Sequence, residues 1–298
     1  MSNGEGRLGR ALILRLDFGQ PLSALSPAWA ALAGLLVSGA MGWDARTFVV
    51  SVLLLFLVEP VMGGLWDLAV GYDPAPILPS SGGDEARVML PYARPGSAGY
   101  RLTSALADGL AGWRDRGWPA VVFVGSLIVA LAVASVLGLV LLGVALAVIV
   151  LVARLHWRAG GMSLLLQAIY DALLPWLMGM SALGQIAERG PAFYRSGLLL
   201  AACYLIVYVA CLSLVNGVRL PALIVLDGVQ VALLGFLITR QEIPAVWLVG
   251  LCLVGQLAAH PAFLGGGSAT SYVRRSSVYI VLAMLAAAIA LAPTLAGL

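Results

Sequence analysis

The sequence predicts an all-α integral membrane protein: nine transmembrane helices in one bundle, with the N-terminus in the cytoplasm. Two observations carry this. Hydrophobic residues make up 61% of the 298-residue chain and charged residues 10%, with a mean hydropathy of +1.00. A water-soluble domain cannot hide so large an apolar share, so the solvent is lipid. The apolar residues also fall into nine runs, near 22–42, 47–70, 118–137, 139–155, 162–186, 194–215, 219–238, 243–264 and 276–296. Each approaches the roughly 20 residues that a helix needs to cross the hydrocarbon layer. A helix satisfies its own backbone in lipid, whereas a barrel would show short segments of alternating polarity, and none is seen.

Taken in order, the elements read as follows. A polar head with Arg7, Arg10, Arg15 and Asp17 precedes the first run. Its residues 11–18 form either an interfacial helix or a plain lead-in. The first run lacks a small-residue cleavage site and reads as a retained span. The second holds Glu59, beside Pro60, and Asp67. The long cytoplasmic loop 71–117 follows: its first half is rich in Pro, Gly and Ser, and its second half has apolar residues at helical spacing, as in a segment lying on the membrane surface. The third and fourth runs are nearly continuous around Gly138. The fifth contains Gln167 and Asp171, the sixth Cys203 and Cys211. The seventh contains Asp227 and Gln230, the eighth Cys252, Gln256 and His260. A glycine-rich segment, 265–271, reads as a flexible turn leading to Arg274, Arg275 and the ninth run. No domain boundary or internal repeat is visible, so residues 1–298 read as one domain, and a transporter built from matching halves is disfavoured.

All 17 basic residues are arginine. Nine crossings from a cytoplasmic N-terminus place 13 of them inside and leave Arg46, Arg189, Arg195 and Arg240 outside. That asymmetry orients the bundle in the cytoplasmic (inner) membrane. The net charge of +3 follows from these flanks, and no basic run with interleaved aromatics suggests nucleic acid. The three cysteines form no CxxC pair and read as apolar fillers.

Carboxylates inside spans cost about 2.5–3.5 kcal/mol each on insertion scales, so they face the bundle interior. Asp171 and Asp227 are open to two readings, a ligand contact or an interhelical hydrogen bond. Glu59 reads as structural. His260 reads first as a buried, hydrogen-bonded imidazole.

Several stretches together resemble the UbiA superfamily of membrane prenyltransferases, and within it the chlorophyll and bacteriochlorophyll synthase branch. The first span, Leu25-Ser-Pro-Ala-Trp-Ala-Ala-Leu-Ala-Gly-Leu-Leu-Val-Ser-Gly-Ala40, is similar to that branch's opening. Arg94-Pro-Gly-Ser-Ala-Gly99 resembles its Arg-Pro-x-x-x-Gly element. Tyr170-Asp-Ala-Leu-Leu-Pro-Trp-Leu-Met-Gly179 resembles its Leu-Pro-Trp-x-x-Gly stretch. Gly217-Val-Arg-Leu-Pro221 resembles the end of its second acidic motif. The resemblance implies a UbiA-like bundle with a central apolar cavity. It also implies an isoprenoid, quinone or pigment ligand such as (bacterio)chlorophyll or carotenoid, with a second reading of His260 as ligand to a tetrapyrrole magnesium, and a place in a larger photosynthetic membrane complex.

The family's enzymes carry two acidic clusters that hold magnesium on the donor's diphosphate. Here the first site reads Gly63-Gly-Leu-Trp-Asp67-Leu-Ala-Val-Gly-Tyr-Asp73-Pro, and Asp67 and Asp73 stand six apart, a spacing the motif lacks. The second reads Cys211-Leu-Ser-Leu-Val-Asn216-Gly, with no acid. A diphosphate brings about three negative charges into a dry cavity, which one or two carboxylates cannot help metals to neutralise. The expectation is therefore a non-catalytic binding or assembly protein, with Arg94, Arg101, Asp171, Asn216, Arg219 and His260 toward the ligand. The alternative is a magnesium-dependent prenyltransferase with an unusual metal site: Asp67 and Asp73 catalytic, Asp73, Asp84 and Glu85 on the metal, and Arg94, Arg101 and Arg219 on phosphate.

Overall fold

A computed structural model describes residues 25–40, 42–69, 118–158, 164–183 and 191–292. The polar head, the loop 71–117 and, within it, Asp73, Asp84, Glu85, Arg94 and Arg101 lie outside the described residues. Among the described residues every regular element is helical: α1 (Pro27–Val37), α2 (Ala45–Phe56), α3 (Met62–Ala69), α4 (Trp118–Val136), α5 (Val140–Arg158), α6 (Leu164–Ala168), α7 (Leu174–Ser181), α8 (Pro191–Val215), α9 (Leu220–Thr239), α10 (Ile243–Ala258), α11 (His260–Leu264) and α12 (Ala269–Ala290). Six helical segments are long and apolar enough to cross a membrane: Ala45–Trp66, Leu164–Ser181, Arg195–Val215, Leu220–Thr239, Ile243–Leu264 and Ala269–Ala290. Pro27–Val37, Phe123–Val136 and Val140–Arg154 are shorter apolar helices.

The side-chain distribution suits lipid. On α10 the outward residues are Ile243, Trp247, Leu248, Leu251 and Val254, while Ala245, Val249, Cys252 and Gln256 face inward. Large apolar groups outside and small or polar ones inside is the reverse of a water-soluble helix.

Two spans contain a widened π turn, and a proline accounts for each. Pro60 has no N–H for the Phe56 carbonyl and its ring crowds that carbonyl; the helix opens over Leu57–Val61 and continues as α3. Pro175 leaves the Asp171 carbonyl without its i+4 donor, and the widening lies at Ile169–Leu173, between α6 and α7. The soft boundary near Gly138 is a real turn: Gly138 has φ +72°, a left-handed conformation that a side chain would disfavour.

Helices α1 and α7 form the central seam. A Cβ on Gly34 would overlap the Trp176 carbonyl oxygen, and one on Gly179 would overlap the Ala31 carbonyl oxygen. The two backbones therefore touch. Lipid tails are as apolar as leucine, so packing of this kind, not exclusion of water, holds membrane helices together. To one side of the seam, Ala31, Leu35, Leu174 and Met178 join a core with α2 to α5. To the other, Ala30, Ala33, Trp176 and Met180 join a core with α8, α9, α10 and α12.

The structure shifts two sequence expectations. The last span starts at Ala269, not near residue 276, because the Ser268 Oγ caps it by accepting from the Ser271 N–H at 3.2 Å. Arg274 and Arg275 thus lie inside a helix, and the flexible turn shrinks to residues 265–268. Tyr272, in the first turn of this helix, is 3% exposed because its ring is packed against His260 and Phe263.

Candidate functional site

Two polar clusters interrupt the apolar interior. The first lies where the π turns meet the seam. Opening of the helix at Leu57–Val61 accompanies an unusual cap: α1 starts at Pro27, which has no N–H, and Ser26 makes no side-chain cap bond. Glu59 on the neighbouring span does so instead, its Oε2 accepting from the Ala28 N–H at 3.3 Å. A carboxylate at a helix N-terminus is favourable, which gives Glu59 the structural role that its sequence context suggested. The Tyr170 ring stacks on Trp66, with centroids 4.4 Å apart, and its hydroxyl donates to the Met62 carbonyl at 2.7 Å. These contacts tie the two widened spans together.

Asp171 sits on the second π turn and is 5% exposed. The Tyr208 hydroxyl of α8 donates to its Oδ2 at 2.9 Å. Tyr204 lies one helical turn earlier on the same face of α8, and its ring packs against Trp176 at 5.7 Å. The Trp176 Nε1 and the Tyr204 hydroxyl are buried with no hydrogen-bond partner.

The second cluster joins α9, α10, α11 and α12. Gln230 Nε2 donates to Gln256 Oε1 at 2.6 Å, and Gln256 Nε2 donates to Asp227 Oδ1 at 2.7 Å. Both glutamines are fully buried. His260 Nε2 stands 3.5 Å from Asp227 Oδ1, longer than the roughly 2.7–2.9 Å of a charge-assisted hydrogen bond. The Gln230 Oε1, the His260 Nε2 and the Tyr272 hydroxyl are buried without a hydrogen-bond partner. Outside this cluster, the Arg219 guanidinium covers the Phe263 ring at 5.3 Å.

The threading gives the bundle two unlike ends. Trp66 meets Tyr170 and Asp171 meets Tyr208, so the ends of α3 and α8 lie with the starts of α6 and α9. Arg154, Arg219, Arg274 and Arg275 gather at that end. Arg46, Arg195 and Arg240 lie at the other, with Asp44 and Glu242 among them. At that second end, Asp44 caps α2 by accepting from the Thr47 N–H at 2.6 Å. This bond holds its carboxyl below the usual carboxylate range.

Of the site residues expected from sequence, Asp171 falls in the first cluster and His260 in the second, with Arg219 beside it. Asn216 is exposed in the α8–α9 turn, where its Nδ2 donates to the Leu212 carbonyl at 2.8 Å and closes the end of α8. The backbone of Asp67 lies in α3, and its side chain is outside the described residues. Trp66 and Trp176 pack in the core. Tyr170, Tyr204, Tyr208 and Tyr272 went unnoticed as site residues; the signal was Tyr204 and Tyr208 at i, i+4 within an apolar run. Among the described residues no three of His, Cys, Asp and Glu come together as a metal site would require. Comparison with protein-family models, with curated proteins and with solved structures finds no match to this chain.

Proposed function

We propose that this chain is a UbiA-like membrane protein that holds a hydrophobic ligand and does not transfer a prenyl group. The ligand class is an isoprenoid, a quinone or a tetrapyrrole pigment, and the setting a larger membrane complex of the photosynthetic kind. The observation that carries this reading is the pair of buried donors, Trp176 Nε1 and the Tyr204 hydroxyl, with no acceptor between them. An indole N–H can only donate. Each buried donor left unpaired costs about 1–3 kcal/mol. A ligand oxygen, such as the carbonyl of a quinone or of a tetrapyrrole substituent, supplies the missing acceptor.

Other features support the wider reading. The two segments most similar to the UbiA family, the opening span and the Leu-Pro-Trp-x-x-Gly stretch, pack directly on each other through Gly34 and Gly179. The shorter apolar helices, added to the six long ones, allow nine crossings. Arginines concentrated at one end favour that end in the cytoplasm, with the bundle in the inner membrane.

Mass spectrometry of lipids and pigments that co-purify with the full chain in mild detergent tests the reading. A carbonyl-bearing hydrophobic compound should be retained by the natural protein and depleted by Trp176→Phe and by Tyr204→Phe. Magnesium-dependent prenyl transfer abolished by Asp73→Ala would replace it with the enzymatic reading.

A further inference from the structure

A cavity of about 180 Å³ opens at the arginine-rich end, between α11 and the first turns of α12. Its polar side is Gly267, Ser268, Ser271 and Arg275; its apolar floor includes Phe263 and Tyr272. We infer that this cavity binds the phosphate headgroup of an anionic phospholipid. The inference stands apart from the central ligand reading and rests only on the membrane setting of the bundle.

The charge comes first. No acidic side chain lines the cavity, and among the described residues no carboxylate forms an ion pair with Arg275. An exposed guanidinium presents a fork of N–H donors suited to phosphate oxygens. Arg219 and Arg274 are exposed at the same end, and basic groups near a membrane surface attract anionic lipid. The Ser271 hydroxyl adds a further neutral donor beside the guanidinium.

Size then narrows the occupant. Pockets for drug-sized molecules run from about 300 Å³ upward, whereas one water takes about 30 Å³ of liquid. A volume of 180 Å³ is too small for a macrocycle or a prenylated ring and too large for a lone water. It suits a phosphate with the first atoms of a glycerol. The layout is amphiphilic as well. Tyr272, 3% exposed with a hydroxyl that has no partner, and Phe263, 2% exposed, form an apolar wall that leads from Arg275 into the bundle. A free phosphate would use the arginine and leave that wall unused, so a lipid fits the whole cavity better.

The experiment uses the full chain in vesicles of phosphatidylcholine doped with phosphatidylglycerol, followed by gentle extraction and native mass spectrometry. Bound phosphatidylglycerol should be enriched over phosphatidylcholine, and Arg275→Gln should lower the enrichment about tenfold, as expected for one lost hydrogen-bonded charge contact. Arg46→Gln, at the opposite end, removes the same formal charge and should leave the enrichment unchanged. Both arginines are exposed, and an unchanged size-exclusion profile confirms folding. Equal loss in the two variants would mean general surface attraction and would overturn the site. So would inorganic phosphate stabilising the protein through Arg275 while no lipid is enriched, because the cavity would then be a plain anion site.

Discussion

Replacing Gly179 by alanine probes the contact on which the bundle is centred. The added Cβ would sit inside the van der Waals envelope of the Ala31 carbonyl oxygen, and 2.9 and 3.0 Å from the Ala31 carbonyl carbon and the Leu35 nitrogen. All three are backbone atoms, so no rotamer change relieves the overlap. Normal carbon–oxygen separation requires α1 and α7 to move apart by about 1 Å, and a gap of that size forfeits roughly a quarter to a half of the dispersion attraction at each facing pair. Overpacking a filled core costs about 1–3 kcal/mol on its own, so the sum comes to about 3 kcal/mol or more. The assay is thermal unfolding of the detergent-solubilised protein, followed by a thiol-reactive fluorophore. Cys211 and Cys252 are buried and label only as the bundle opens. Gly235→Ala on α9 is the control. Nothing lies within 4 Å of its added Cβ, and alanine gains up to about 1 kcal/mol of helix propensity over glycine. The two substitutions should therefore shift the midpoint in opposite directions. A Gly179→Ala protein as stable as the natural one, or two variants equally unstable, would refute the seam.

Further expectations follow from the polar interior. Gln256→Leu strands the fully buried Gln230 Nε2, whereas the partly exposed Asp227 keeps His260 and solvent, and should cost about 1–3 kcal/mol; adding Gln230→Leu should cost less than the sum of the two single changes, a non-additivity that a double-mutant cycle of unfolding midpoints reads directly. Glu59→Gln keeps an oxygen for the Ala28 N–H but loses the charge at the α1 N-terminus, and should destabilise by about 0.3–1 kcal/mol; a neutral outcome in the same unfolding assay would remove the cap from the account. For Asp44 the folded carboxyl lies below its ordinary value of 3.8, mainly through the Thr47 N–H bond. Its contribution is fully present above that value and is lost as pH falls below it. Amide exchange at Thr47, corrected for the intrinsic pH dependence, should quicken over that acid range and stay flat above it; a uniform profile would deny the cap.

Fold class and most helix positions were legible in the sequence because apolar length is itself the physical requirement of a span. The residues near 243–264 form one long apolar helical segment as read, Ile243–Leu264, although the helix breaks at Ala259 just ahead of Pro261. The start of the last span was misplaced because Arg274 and Arg275 looked like a flank. A cap at Ser268 outweighs two exposed arginines, whose long side chains reach water from inside a helix. The wide turns at Leu57–Val61 and Ile169–Leu173 had visible prolines but no visible consequence. Whether a proline kinks, breaks or widens a helix depends on what packs against it.

Which residues are apolar and where the long apolar helices fall follow from composition and spacing, because each depends only on neighbours along the chain. The partners of Asp171, Asp227 and Glu59 do not. Tyr208 lies 37 residues from Asp171, Gln256 lies 29 from Asp227, and Ala28 lies 31 from Glu59. Nothing local in sequence selects such pairs; the approach of the Ile169–Leu173 turn to α8, of α9 to α10 and of the Leu57–Val61 turn to α1 does. Tertiary structure alone decided which intramembrane carboxylates are held by the protein and which donors, Trp176 and Tyr204, are left facing none. The reason is that a hydrogen bond reaches about 3 Å, and only packing brings groups that close across helices.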